Sequence, residues 1–219
     1  GLFLRALVKL CGPVLTTLKR KLTQEIQDQE DTVIVSNFSE ETSQDIWDQA
    51  HSKAILNTQK DLAWMSVHGC LPVKGFQKKR GLARSAECPR EKCKGEEDVK
   101  HLLWNCQHAK DTWASIGPLI QTITGQRDIS YSLILYGIGF KCAYGLDDTL
   151  WQIINCVKES LWQTRNLTLF ANTHIEASTC IKLCLDKMVT HYLFDCKKHG
   201  TAWAKKTWQM KKWSKIIKI

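Results

Sequence analysis

The sequence has no uncharged apolar run of 18 residues or more, so no membrane-crossing helix is expected. Its apolar opening is interrupted by Arg5 and Lys9 and lacks both the continuous apolar core and the small-residue cleavage site of a secretory signal. No Ser/His/Asp set and no pair of carboxylates at a usable spacing is visible, so nothing in the linear order points to a hydrolase or nuclease. Two one-sided gaps in charge stand out. From residue 28 to 48 there are seven carboxylates and no Lys or Arg; from 197 to 219 there are eight lysines and no acid. The formal net charge is +9 over 219 residues, with a pI near 9.0. That balance favours an acidic partner, nucleic acid first and an anionic membrane surface second, with no firm membrane association expected. The first residue is Gly1 rather than Met, and the chain is expected to be a piece of something longer.

Cysteine is plentiful, ten in all. An even number suits a secreted disulfide scaffold, but such scaffolds are small and loop-rich, and this chain is long and helix-patterned. Several of the cysteines fall inside apolar helical stretches, where a free thiol behaves as a small hydrophobe. The expectation is a reducing, intracellular compartment (nucleus and cytoplasm), with some cysteines on metal and the rest in the core.

Periodicity predicts a mainly α fold. A helical segment broken at Gly12 and Pro13 precedes the acidic stretch, read as a solvated linker over 28–45. Helices are expected over 46–69, from about Glu97, over 107–122, over 147–171 with Asp147 as N-cap, and over 176–196. The glycine-spaced, β-branched region 125–145 suggests one short strand or a buried loop near 130–140. Three parts are expected: 1–45, the end of a preceding domain; 46–172, a helical domain; and 173–219, a helical extension with a basic, Trp-rich tail.

The most informative feature is Cys88, Cys93, His101 and Cys106, in the array C-x4-C-x7-H-x4-C. Three thiolates and an imidazole form a closed structural zinc set, and the turn-compatible Pro89, Lys94 and Gly95 lie between the donors. His101 and Cys106 are five apart, about 140° on a regular helix, so the helix has to loosen or end before Cys106. Asn105 is the expected exit residue. His108 is the alternative fourth ligand. A second array, Cys180, Cys184, His191 and Cys196, lies in a continuous helical pattern without turns and is read as buried cysteines.

Around the first donors, Lys78, Lys79, Arg80, Arg84, Arg90 and Lys92 form a basic strip. It reads either as a phosphate-binding surface held in place by the metal knuckle or as a solvated basic face. In the tail, Trp203, Trp208 and Trp213 alternate with lysines. They would stack on unpaired bases, lie at a membrane interface, or dock on the domain.

Beyond the array, Trp64, His68, Gly69, Leu71 and Pro72 form one block. Arg80-Gly-Leu, Cys88-Pro, His101-Leu-Leu-Trp-Asn-Cys106 and Trp113 follow, and Arg165-Asn166 sits in a third block. In that order, over about 46–170, they resemble the zinc-binding domain C-terminal to the reverse transcriptase of LINE-type non-LTR retrotransposons. The x4 gap between Cys88 and Cys93 departs from the x2 of many members. The resemblance implies zinc, RNA or DNA as partner, and an upstream reverse transcriptase domain of the same polyprotein. The implied role is holding RNA template or target DNA during target-primed reverse transcription. No polymerase centre is expected here, and Asp147 and Asp148 after Tyr144 are read as a helix start rather than a polymerase motif. The alternative is a repurposed retroelement fragment that binds an acidic protein.

Overall fold

The computed structural model describes residues 39–142 and 145–209. The opening segment, the acidic stretch up to 38, Tyr144, Trp213 and the end of the tail lie outside the described residues. The chain divides into two compact units, Gly1–Asp45 and Ile46–Ile219. The described elements are α1 (Glu40–Ala50), α2 (Asn57–Val67), α3 (Lys74–Lys79), a π-helical turn (His101–Asn105), α4 (Gln107–Thr124), α5 (Tyr131–Tyr136), α6 (Asp147–Ala171), α7 (Ala177–His199) and α8 (Thr201–Trp208). The mainly α expectation therefore holds. Among the described residues the only β pairing is an isolated antiparallel bridge between Glu87 and Glu96.

Four boundaries differ from the sequence reading. The expected linker turns helical at Glu40. The expected helix over 46–69 is two helices, because the chain turns at 51–56 and restarts in extended geometry at Leu56 (φ −71°, ψ 156°). The Gln59 side chain accepts from the Leu56 N–H at 3.1 Å and seals that restart. Apolar positions on both helices face one core, so a single stripe ran across the break. Near 130–140 there is neither strand nor simple loop but α5. Ser130 caps it by accepting from Leu133 N–H at 3.1 Å, Gly137 ends it in the left-handed region, and Leu133, Ile134 and Leu135 are buried. Its β-branched content lost to these caps and to tertiary burial. Finally, Leu146 is the cap of α6, and Asp147 and Asp148 occupy its first turn, where the helix dipole favours them.

α6 is the axis of the second unit. Every residue from Thr149 to Leu161 is buried, and α2, α4, α7 and the π-turn pack around it. Its apolar positions, among them Leu150, Ile153, Val157 and Leu161, join Leu62, Trp113, Ile120 and Met188 in one core. Buried polar groups on α6 need partners, and they mostly have them. Glu159 accepts from Gln59 at 3.2 Å and pairs with Lys187 at 3.2 Å, while Gln59 also meets His191 at 3.0 Å. α2, α6 and α7 are thus joined through one amide. Gln152 and Asn155 bond through their amide nitrogens and leave a buried oxygen open, and Lys158 has no partner at all. Its amine is fully buried, has no hydrogen-bond partner, and lies 5.0 Å from the Trp151 ring centroid. Burial pushes it down to about 7.

The strongest polar link is Glu97 with Arg165, which are 0% and 1% exposed. Arg165 Nε and Nη2 reach the two carboxylate oxygens at 3.0 and 2.7 Å, a two-pronged fork. One of those oxygens also accepts the Lys74 N–H at 2.7 Å. The Glu97 carbonyl takes the Gly75 N–H at 2.8 Å, so closely that a Cβ at 75 would sit 2.8 Å from that oxygen. One residue therefore fixes α3, the segment before the π-turn and the end of α6 together.

Two outcomes follow. Arg165→Met leaves a buried carboxylate unpaired and lowers stability by roughly 3–5 kcal/mol, and adding Glu97→Gln restores part of the loss; denaturant titration measures both. Lys158→Met stabilises the protein at pH 7 by about 1–3 kcal/mol, the cost of an unpartnered buried polar group. The folded pKa of Lys158 lies below the unfolded value, so its cost is full below about pH 7 and fades as pH rises toward 10.5. The stability gap between variant and wild type should narrow over that window.

Candidate metal centre

The four donors come from a knuckle and from the helical turn that follows it. In the knuckle, Glu97 N–H donates to Ala86 O at 2.8 Å, Cys88 N–H to Gly95 O at 2.9 Å, and Cys93 N–H to Arg90 O at 2.8 Å. These bonds place Cys88 and Cys93 at its base. Gly95 matters for space rather than for chain reversal. A Cβ there would lie 2.6 Å from His101 Cε1, so glycine alone lets the imidazole approach. Asp98 then accepts the His101 N–H at the start of the turn.

The five-residue step from His101 to Cys106 is met by a π-turn. Cys106 N–H donates to His101 O at 2.9 Å, a five-residue ring, and Cys106 itself leaves helical geometry at φ −59°, ψ 137°. The required exit exists, but Asn105 stays within the turn instead of adopting the left-handed form. Trp113 anchors the turn to α4 by donating from its indole N–H to Leu103 O at 2.8 Å. Because α4 restarts at Gln107, His108 lies outside the donor group, and burial pushes its imidazole down to about 4, so it stays neutral.

The donor atoms of Cys88, Cys93, His101 and Cys106 all lie within 4.8 Å of one another. Cys93 Sγ is 3.2 Å from His101 Nε2 and 4.0 Å from Cys106 Sγ. Tetrahedral zinc with ordinary Zn–S and Zn–N lengths has edges of about 3.6–3.8 Å, so the group fits the ion. Cys88 and Cys106 are buried, Cys93 and His101 partly so. The hydrogen bond with Cys88 and, further, the Arg90 guanidinium lower the Cys106 thiol, while the same hydrogen bond and burial push Cys88 up. Zinc bound here would crosslink knuckle and turn, and its four protein ligands would leave no open position for chemistry.

Arg90 is the one basic-strip residue that the structure withdraws. It is only 8% exposed. Its guanidinium donates to Cys106 Sγ at 3.6 Å, Leu161 O at 3.2 Å and Thr164 Oγ1 at 3.3 Å. Arg90 therefore joins the metal centre to α6 and does not reach solvent phosphate; charge alone could not reveal this, although its position two residues after Cys88 hints at it. Lys78, Lys79, Arg80, Arg84 and Lys92 are exposed. The sequence places Glu97 at a helix start; it lies just before that start, and its burial beside Arg165 has no linear signal.

The second array does not converge. Cys180 and Cys184 are buried in the core, His191 faces Gln59, and the only donor group among the described residues is the first. All nine described cysteines are free thiols. In the tail, Trp208 is fully buried and donates to Asp195 at 2.9 Å, so it docks on α7, while Trp203 stays 42% exposed.

A mainly helical domain with a closed Cys3His centre defines a structural zinc-binding domain. Residues 32–113 match the family described as zinc-binding in reverse transcriptase, a span that holds all four donors. That family is an accessory zinc-binding segment rather than the polymerase domain. No match was found among curated proteins or among solved structures.

The protein should purify with one zinc per chain by metal analysis. Cys93→Ser and strong chelators should remove zinc and local structure together, since such sites contribute on the order of 10–16 kcal/mol at neutral pH. Gly95→Ala should weaken zinc binding about 10- to 100-fold through the displaced imidazole. Protein that holds no zinc without prior chelation would refute the assignment.

Proposed function

We propose that this chain is a non-catalytic, zinc-stabilised nucleic-acid-binding module of a LINE-type non-LTR retrotransposon reverse transcriptase. It positions RNA template or target DNA for target-primed reverse transcription, beside an upstream reverse transcriptase domain of the same polyprotein. Residues 46–172 form the module, and 173–219 are an extension whose described residues His191 and Gln209 meet Gln59 and Ile123 of the module. The observation that carries the reading is the placement of Lys78, Lys79, Arg80, Arg84 and Lys92, all exposed, around a knuckle fixed by the metal donors and by Glu97. Arg80 also lies over the Phe76 ring at 5.0 Å, which limits its swing. Cations held on such a frame meet phosphates with little ordering cost. The match to a zinc-binding segment of reverse transcriptases supports the same partner class.

No described helix is long and apolar enough to cross a membrane.

Filter-binding titrations with single-stranded RNA and with duplex DNA at two salt concentrations test the proposal. The wild type should bind with a negative salt slope. Replacing Lys78, Lys79, Arg80 and Arg84 by Ser should flatten that slope by about 3 on single strands and leave zinc content unchanged. A wild type that binds neither nucleic acid, or a variant with an unchanged slope, defeats it.

A further inference from the structure

A cavity of about 310 Å³ opens between the 51–56 turn and α7. It shares no residue with the metal knuckle or the basic strip. Lys53, Lys60 and Lys198 stand around it. None of the three pairs with a carboxylate among the described residues. The one acid in its wall, Asp195, already accepts the Trp208 indole N–H at 2.9 Å. The uncommitted charge of the cavity is therefore positive.

Beside the lysines lies Phe194, a wall residue that is 60% exposed. Gln152 also contributes to the wall. It is 7% exposed, gives its Nε2–H to Ala54 O at 3.1 Å, and keeps a buried Oε1 with no hydrogen-bond partner. An amide with unspent capacity, an exposed aromatic face and three unpaired cations meet in a space at the small end of ligand-sized cavities.

We propose that this cavity seats one nucleotide unit of a single-stranded nucleic acid, with its base against Phe194 and its phosphates on Lys53, Lys60 and Lys198. The inference rests on the nucleic-acid reading above and adds a second, separate contact region. Lysines alone would serve an acidic peptide as well. The exposed phenyl beside them decides for nucleic acid, because every base offers a face to stack. A duplex is disfavoured, since its bases are already stacked and cannot reach Phe194.

The test uses the full 219-residue, zinc-loaded protein. Anisotropy titrations employ a fluorescein-labelled 12-nucleotide single-stranded RNA, the corresponding duplex, and a poly-glutamate competitor. Phe194→Ala should weaken single-strand binding about 10-fold. The triple Lys53→Ser, Lys60→Ser, Lys198→Ser variant should flatten the salt slope by about 2. A 4-thiouridine-labelled RNA should crosslink to the peptide that contains Phe194. Thermal melts confirm that these surface variants stay folded. If the cavity variants bind like wild type while the Lys78, Lys79, Arg80 and Arg84 variant loses binding, the cavity inference fails and the module reading stands. If the wild type binds no nucleic acid at all, both fail. Displacement by poly-glutamate with no crosslink at Phe194 assigns the cavity to an acidic peptide and overturns the proposal.

Discussion

A carboxylate sealed from water has to be answered by a cation and by hydrogen-bond donors, and at Glu97 the answer organises half the protein. Arg165 grips both oxygens from the end of α6, and the Lys74 N–H takes a share of one. The Glu97 main chain closes onto Gly75 and Ala86. The carboxylate thus determines where α3 begins, where the metal knuckle closes and how both sit on the central helix. Arg165 lies 5.1 Å from the Trp162 ring, which adds a second restraint on the guanidinium. Burying two charges is costly in itself, and the observed packing of α3, the knuckle and α6 satisfies both groups at once.

The metal centre depends on that frame. A closed site of three thiolates and one neutral imidazole around a divalent ion keeps one residual negative charge. Arg90, buried against Cys106 Sγ, supplies the compensating cation and carries the coupling onward to the Leu161 carbonyl and Thr164. Two arginines from different ends of the module, Arg90 and Arg165, thus converge on one stretch of α6. One answers the metal-bound sulfur and the other the buried carboxylate. Of the cations clustered along 74–92, Arg90 is the one whose charged group is buried, against Cys106 Sγ.

Legibility from the sequence varied with how local the deciding physics was. The helix breakage forced on the His101 to Cys106 step was readable, because it follows from helix geometry and ligand spacing. How the break is made was not, since a π-turn and a left-handed asparagine satisfy the same requirement, and the choice was left to packing by Leu102, Leu103 and Trp113. Gly95 was read as a reversal residue; its real constraint is the imidazole pressed against it. The short helix α5 carried legible caps, Ser130 and Gly137, but its β-branched content obscured them. The turn at 51–56 was hidden because helices on either side face one core.

What the sequence determined alone is what nearest neighbours along the chain decide: the mainly α class, the ordered donor set, the excess of positive charge and the family-like blocks. The tertiary structure decided which charges are free. Arg90, Glu97, Lys158 and Arg165 look like surface residues by type, and all four are buried; Lys78, Lys79, Arg80, Arg84 and Lys92 are not. Lys158 is buried over the Trp151 ring without a hydrogen-bond partner, whereas Arg90, Glu97 and Arg165 are held inward by partners from distant segments, as Leu161 and Thr164 meet Arg90 and Arg165 meets Glu97. That meeting is made by the packing of α6 against the knuckle, across some seventy positions of chain.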